Sequence, residues 1–418
     1  MRRLAVISLH TSPLVQPGTG DSGGMNVYVR ELVSSLAQAG VACDVYTRAW
    51  ADGLPAEVRV EPGVRVLHVP AGPQAELAKE DLPAVVDEFT RGVIDHLGQG
   101  ERVDALHANY WLSGMVGHTA KHELGLPLVS TFHTLARVKA EAEVDESWDR
   151  VQAETDVIRC SDVILANSEE EATDLQRHYG AAADRIEVVP PGVDHAFFSP
   201  GDRDGARAAL GWTRASRVSM AGGRGAAQHP VLLFVGRIQP LKGLDVAVTA
   251  LAELRDPSAE LVVVGGPSGP GGPAELAKVL DLADALGVRR QLRFVDPQPH
   301  HLLSTWYRAA DVVLVPSRTE SFGLVALEAA ACGRPVVAAA VGGLRTIVDD
   351  GVTGLLVEGR APVDYASAVD CLLRQPEVAA SMGRAASHRA AGYTWSTAAA
   401  RLRRVYADLA SRERLLCA

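Results

Sequence analysis

The stretch Val231-Leu-Leu-Phe-Val-Gly-Arg-Ile-Gln-Pro-Leu-Lys-Gly243 decides the architecture. Five apolar residues run unbroken to Val235, a glycine turn follows, and Leu244–Leu254 then carries the apolar spacing of a helix. An uninterrupted apolar run is the signature of a strand buried on both faces, as in a parallel sheet covered by helices. The unit repeats downstream. Leu261–Val264, Leu292–Val295, Val312–Val315, Val336–Ala339 and Gly354–Val357 read as strands, with helical patterns at Ala274–Leu286 and Phe322–Ala331.

The same alternation runs upstream. Leu4–Leu9, Cys43–Thr47, Val64–Val69, Ala105–Ala108, Leu128–Thr131, Val163–Ala166 and Ile186–Val189 read as strands, and Asn26–Gln38 and Glu169–His178 as helices. The chain is therefore expected to be α/β, with two doubly wound Rossmann-like domains facing each other across a cleft. The boundaries read as residues 1–190 for the first domain, 191–230 for a linker rich in Gly, Pro, Arg and Ala, and 231–393 for the second domain. Residues 394–418 read as an arginine-rich helix packing back on the first domain.

A length of 418 residues suits two such domains, and 47% apolar with 22% charged residues suits an ordinary globular protein. With 41 basic against 51 acidic residues the net charge is −10, which argues against a nucleic-acid partner held by bulk electrostatics. No apolar run is long enough to span a membrane, and the apolar start breaks at His10 and Pro13, so a cytoplasmic location is expected. The five cysteines (Cys43, Cys160, Cys332, Cys371, Cys417) are scattered without metal-ligand spacing and read as buried reduced thiols. Lys79, Lys121, Lys139, Lys242 and Lys278 are the only lysines, which singles out Lys242 beside its glycine turn.

Gly18-Thr-Gly-Asp-Ser-Gly23 matches G-x-G-x-x-G after a strand and before a helix. It begins eight residues past His10 with two prolines intervening, and the second strand ends in Thr47-Arg48 with no acidic residue for a ribose. A nicotinamide enzyme is thus disfavoured. A phosphate cradled by backbone amides ahead of the Asn26 helix fits better.

In the second half, Arg237 and Lys242 lie five positions apart in a glycine-flanked turn, two fixed cations suited to a diphosphate leaving group. Pro316-Ser-Arg-Thr-Glu-Ser-Phe-Gly-Leu-Val-Ala-Leu-Glu328 places Glu320 in a loop and Glu328 in the following helix. Glu328 can accept hydrogen bonds from paired sugar hydroxyls, and the amides of Ser321, Phe322, Gly323 and Leu324 can face a phosphate.

Gly-Arg-x4-Lys-Gly joined to Glu-x7-Glu resembles the retaining glycosyltransferases of family 4, which have the GT-B fold, and the resemblance covers nearly the whole chain. His10-Thr-Ser-Pro, Gln16-Pro-Gly-Thr-Gly-Asp-Ser-Gly-Gly-Met-Asn26, Tyr110-Trp-Leu-Ser-Gly and Glu320-Ser-Phe-Gly-Leu-Val are most similar to members serving mycothiol synthesis. The resemblance implies transfer of N-acetylglucosamine from UDP-N-acetylglucosamine to 1D-myo-inositol 3-phosphate. It also implies His133, Arg237, Lys242 and Glu320 at the reacting centre, with Gln16, Pro17, Gly24, Ser321, Phe322, Gly323, Leu324 and Glu328 around the donor. The acceptor positions it implies are His10, Asp21, Ser22, Gly23, Gly24, Met25, Asn26, Lys79, Tyr110, Thr134 and Arg150. Lys79, Tyr110, Thr134 and Arg150 together offer the donors a phosphate monoester requires. No cofactor is needed for the chemistry. A structural magnesium ion held by the backbone at Tyr307, Arg308 and Ala310 is implied, and homodimers occur in the group.

Two segments depart from that pattern. His107-Ala-Asn-Tyr-Trp and Thr131-Phe-His-Thr-Leu-Ala-Arg137 stand where those members have His-Ser-His-Tyr-Trp and Thr-Ala-His-Thr-Leu-Ala-Ala. There the chain leans toward sucrose-phosphate synthases of the same family. Arg137 would add a cation near the acceptor, and Arg334 replaces a threonine near the nucleotide. Another acceptor, a sugar phosphate or a secondary-metabolite small molecule, and another nucleotide-sugar donor are the alternatives.

Overall fold

The computed structural model describes residues 2–141, 146–212, 229–254, 256–269, 271–409, 415 and 417. In the first half, β1 (Arg3–Ile7), β2 (Ala42–Arg48), β3 (Glu57–Glu61), β4 (Val64–Val69), β5 (Ala105–Asn109), β6 (Leu128–Thr131), β7 (Val163–Ala166) and β8 (Ile186–Val188) form one sheet in the order β3-β4-β2-β1-β5-β6-β7-β8. All its neighbours are parallel except β3, which runs antiparallel to β4. The sequence reading lacked β3. Glu57, Arg59 and Glu61 give that edge strand no apolar run, and one unburied edge needs none.

The helices of this half are α1 (Gly24–Gln38), α2 (Val86–Gln99), α3 (Trp111–Leu124), α4 (Ala136–Glu141), α5 (Trp148–Cys160) and α6 (Glu169–Tyr179). Side chains alternate along β1. Ala5 and Ile7 enter the core shared with α2 and α3, whereas Leu4 and Val6 enter the core shared with α1.

The second half holds α7 (Arg203–Ala209), β9 (Val231–Val235), α8 (Leu244–Glu253), β10 (Glu260–Val264), α9 (Gly272–Ala285), β11 (Leu292–Val295) and α10 (Leu303–Ala309). After these come β12 (Val312–Val315), α11 (Leu324–Ala331), β13 (Val336–Ala339), α12 (Leu344–Ile347), β14 (Gly354–Val357), α13 (Pro362–Arg374) and α14 (Pro376–Ala390). Its six strands are all parallel, in the order β11-β10-β9-β12-β13-β14. That order reverses direction between β9 and β12, the point where doubly wound sheets bind ligands beyond the strand ends.

Contacts divide the chain into a unit of residues 1–15, 24–192 and 395–418 and a unit of residues 16–23 and 193–394. The last helix, α15 (Trp395–Leu409), belongs to the first unit. Trp395, Leu402 and Tyr406 are buried against α1, Trp395 edge-on to Tyr28 with ring centroids 5.7 Å apart. The Tyr406 hydroxyl meets His107 Nδ1 at 2.9 Å.

Three sequence expectations change here. Residues 193–212 are no linker: Phe198 and Trp212 are buried in the second core, and Arg207 donates to Ala309 O (2.8 Å) and Asp311 (2.7 Å). The low-complexity bias lies instead at 213–228, outside the described residues. The glycine-rich loop Gln16–Gly23 belongs to the second unit although its neighbours belong to the first. Not all cysteines are buried thiols: Cys160 and Cys417 are joined as a disulfide and Cys371 is exposed. A pairing 257 residues apart leaves no local spacing to read.

Candidate active site

In the second unit the loops after β9 and β12, the two strands at the order reversal, carry the charged residues singled out from the sequence. The β9 loop ends at Gly243, whose φ is 71° and where a Cβ would run into the Pro316 carbonyl of the β12 loop. That close approach lets Lys242 Nζ reach Glu320 at 2.6 Å, with Ser317 Oγ 3.5 Å from the same carboxylate oxygen. The Glu320 carbonyl in turn accepts Gly343 N–H at 2.9 Å. Ser321, Phe322 and Gly323 follow, and Leu324 opens α11, so their amides stand at the positive end of that helix.

Arg237, just past β9, donates to Asp21 O (3.1 Å) and Ser268 Oγ (3.2 Å), and Asp21 Oδ1 lies 3.8 Å away. Ser268 also donates to Gly20 O (2.9 Å), and Gln16 donates to Pro297 O (2.9 Å). A Cβ on Gly23 would sit 3.1 Å from Arg237 Nε. Gln16, Pro17, Asp21, Ser22 and Gly23 therefore group with Arg237 in the second unit. Ser268, in Gly265-Gly-Pro-Ser268, ties them to it.

Glu328 stands one turn inside α11 and is buried. His300 Nε2 meets one carboxylate oxygen and the Tyr307 hydroxyl donates to the other, each at 2.7 Å. Burial and the Glu328 charge push the Tyr307 hydroxyl well above its ordinary pKa, so it stays a donor. A carboxylate has about four acceptor positions, which leaves room on Glu328 for two further hydroxyls. Sequence reasoning missed His300 as a partner, and named Tyr307 only for its backbone. The carbonyls at Tyr307, Arg308 and Ala310 lie at the C-terminal end of α10, a donor set that suits a hard cation. The Tyr307 carbonyl also accepts Ala310 N–H at 3.1 Å, and the Arg308 side chain is used on Ser199 O (2.8 Å).

In the first unit the order reversal lies between β1 and β5. His10, beyond β1, and Tyr110, beyond β5, pack with tilted rings whose centroids are 4.5 Å apart. Lys79 Nζ (5.4 Å) and Arg150 Cζ (5.2 Å) both lie over the Tyr110 ring. Arg150 is 1% exposed and donates to Thr134 O and Oγ1 at 3.1 Å each. Glu146 (2.7 Å) and Glu154 (2.8 Å) pair with it, and Lys139 pairs with Glu146 at 2.7 Å. Among the described residues, Lys79, Lys139 and Arg150 thus gather with Glu146 and Glu154 around Tyr110. Glu146, Glu154 and Lys139 carry no motif of their own, and only the packing of α4 against α5 shows them.

Among the described residues, Tyr110 (φ 77°) and His133 (φ 61°) are the two non-glycine residues with left-handed backbone. Strain of this kind, about 1–3 kcal/mol per residue, clusters at functional sites. His133 Nε2 meets Asn109 Oδ1 at 3.0 Å, and burial pushes its pKa down to about 3, so the imidazole is neutral.

Three residues have partners that the sequence did not indicate. Arg137 bonds to His178 O and covers the Tyr179 ring at 5.1 Å, leaving the Tyr110 cluster without it. Arg334 reaches Gly201 O at 3.4 Å. Asn26 is buried and spends its amide on Thr11 Oγ1 (2.7 Å) and Ser12 O (2.6 Å), bracing the loop after β1. Gly24 and Met25 begin α1 beside it.

Residues 22–197 match the family described as Glycosyltransferase Family 4, and residues 223–389 match Glycosyl transferases group 1. The D-inositol 3-phosphate glycosyltransferase of Kribbella flavida is 48% identical over 411 residues, 96% of this chain and 94% of that protein. A protein of Catenulispora acidiphila described as D-inositol 3-phosphate glycosyltransferase 2 is 47% identical over 434 residues, 100% of this chain and 98% of that one. Among solved structures, sucrose-phosphate synthase from Thermosynechococcus elongatus superposes with a TM-score of 0.90 at 30% identity, covering 98% of this chain and all of the other. Anabaena HepE, solved with UDP and glucose, shares the fold at 20% identity and a TM-score of 0.76, with 98% of this chain and 100% of that one covered. With its two parallel-sheet units, its motifs and these relatives, the chain belongs to the family 4 glycosyltransferases of the GT-B fold.

Proposed function

We propose that the protein transfers N-acetylglucosamine from UDP-N-acetylglucosamine to 1D-myo-inositol 3-phosphate with retention of configuration, as a cytoplasmic step of mycothiol synthesis. The observation that carries this reading is the pairing of two built sites, each at the order reversal of its own sheet. Arg237, Lys242 and Glu320 in the second unit suit a sugar diphosphate. The Lys79, Tyr110, Thr134 and Arg150 group in the first suits a phosphate monoester.

In this reading the bond from the anomeric carbon to the diphosphate breaks as the acceptor oxygen bonds to the same face. The acceptor proton passes to the departing phosphate oxygen. Lys242 leaves Glu320 for the diphosphate, Arg237 adds the second positive charge, and Glu320 turns to the sugar hydroxyls. Glu328, held by His300 and Tyr307, takes the ribose hydroxyls. Neutral His133, its Nε2–H held by Asn109 Oδ1, offers Nδ1 as an acceptor to a sugar hydroxyl near the reacting carbon. No side chain acts as a tuned base, and catalysis rests on charge placement and positioning. A magnesium ion on the carbonyls of Tyr307, Arg308 and Ala310 would brace the end of α10 and take no part in transfer.

Acceptance of a sugar phosphate is the second reading, favoured by the likeness to sucrose-phosphate synthase and by Asn109, which holds His133. The test is UDP release from UDP-N-acetylglucosamine with and without 1D-myo-inositol 3-phosphate, with the product identified by mass and its anomeric configuration by NMR. Release requiring both substrates, with a retained glucosaminide phosphate, is the expected result. Release dependent instead on fructose 6-phosphate selects the second reading, and no acceptor-dependent release overturns both.

A further inference from the structure

Away from both sites, one helix face of the first unit gathers ligands that the glycosyl-transfer chemistry does not use. His118 and His122 are four residues apart on α3 and so share one face. Cys160 ends α5, and Cys417 lies in the C-terminal tail. One ligand atom from each of the four side chains lies within 4.8 Å of every other. His122 Nε2 is 3.2 Å from Cys160 Sγ and 3.2 Å from Cys417 Sγ. Beside Cys417, Leu415 N–H donates to Asp162 Oδ1 at 3.1 Å. Asp162 is itself held by Lys121, whose Nζ lies 2.8 Å from the carboxylate and 2.7 Å from Cys160 O.

We propose that in the thiol-reduced protein His118, His122, Cys160 and Cys417 form a four-ligand zinc site that clamps the C-terminal tail to α3 and α5. Two imidazoles and two thiolates are a tetrahedral zinc donor set, and the two thiolates neutralise the ion. With bonds of about 2.3 Å to sulfur and about 2.0–2.1 Å to nitrogen, ligand atoms around tetrahedral zinc stand roughly 3.5 Å apart. The His122–sulfur distances already match that spacing. The disulfide between Cys160 and Cys417 is the oxidised state of the same cluster. A thiol or dithiol reductant supplies two electrons and two protons, giving two thiols and its own disulfide. Zinc then takes the place of the two thiol protons, which are released. A reducing cytoplasm favours the metal-bound state.

The test is metal content of the full chain, purified with a thiol reductant, incubated with zinc sulfate and desalted. About one zinc per chain is expected. Cys417→Ser and His122→Ala should each lower zinc affinity by at least about tenfold while the far-ultraviolet circular dichroism stays that of the parent. His122 is exposed and Cys417 only half-buried, so neither change removes a core side chain. Cobalt in place of zinc should give sulfur-to-metal charge-transfer absorption that Cys417→Ser weakens. Zinc below about a tenth per chain, or occupancy unchanged in both variants, overturns the proposal. So does a Cys160–Cys417 disulfide that persists by mass spectrometry under reductant.

Discussion

Lys242 and Glu320 cancel each other's charge until an anion competes for the lysine, so the pair is a resting state that substrate would break. Lys242→Ala is expected to lower turnover by about 10²–10³, the cost of losing one preorganised electrostatic donor. UDP release by protein with unchanged circular dichroism checks this, and a loss under about tenfold removes Lys242 from the chemistry. Tyr307→Phe takes one donor from Glu328 without touching a reacting atom. It should raise the KM for the nucleotide-sugar about five- to tenfold, the worth of one hydrogen bond, with kcat little changed. An equal fall in kcat would place Tyr307 in the transition state instead. Arg237, Lys242, Glu320 and Glu328 were legible because two fixed spacings carry them. The grip of His300 and Tyr307 on Glu328 was not, because those partners lie 28 and 21 residues away with no motif between.

At the level of elements, the second sheet was legible nearly to the residue, since strands covered on both faces must be apolar throughout. The first sheet was legible except for β3, whose single buried neighbour imposes no such run. What holds α15 to β5 was not legible at all: the hydrogen bond from Tyr406 to His107 spans 299 residues. Burial pushes His107 down to about 3, against about 6.5 in the unfolded chain. Below pH 6.5 the unfolded chain therefore binds the proton first, and stability is lost as the pH falls. Between pH 7 and pH 5 this one histidine should cost about 2 kcal/mol. Denaturant unfolding of the parent and of His107→Gln at both pH values reads it directly. The parent's advantage should shrink by that amount at pH 5. Glu171, raised to about 7 by burial and acting with the opposite sign, is common to both proteins and cancels, and His133, also near 3, is held down chiefly by burial in both. A constant gap would mean that His107 keeps its proton on folding.

At the scale of the whole chain, the first unit is closed by residues from its far end. Trp395, Leu402, Val405, Tyr406 and Leu409 are buried against it. At about 1.5–3 kcal/mol for each large apolar side chain, their removal is comparable to the 5–15 kcal/mol that holds an entire domain together. A fragment of residues 1–192 is expected to show no cooperative thermal transition, and supplying residues 393–418 as a separate peptide should restore one. Cooperative melting of the fragment alone would show that α15 is dispensable. The same connectivity sets an order of events during synthesis. The second sheet, encoded later, has all its strands and helices synthesised before α15, whereas the first must wait with one flank of its nascent sheet uncovered. A message cut short in its last two dozen codons would then yield a sound second half joined to a first half that never closes, and quality control would meet the damage at the end translated first.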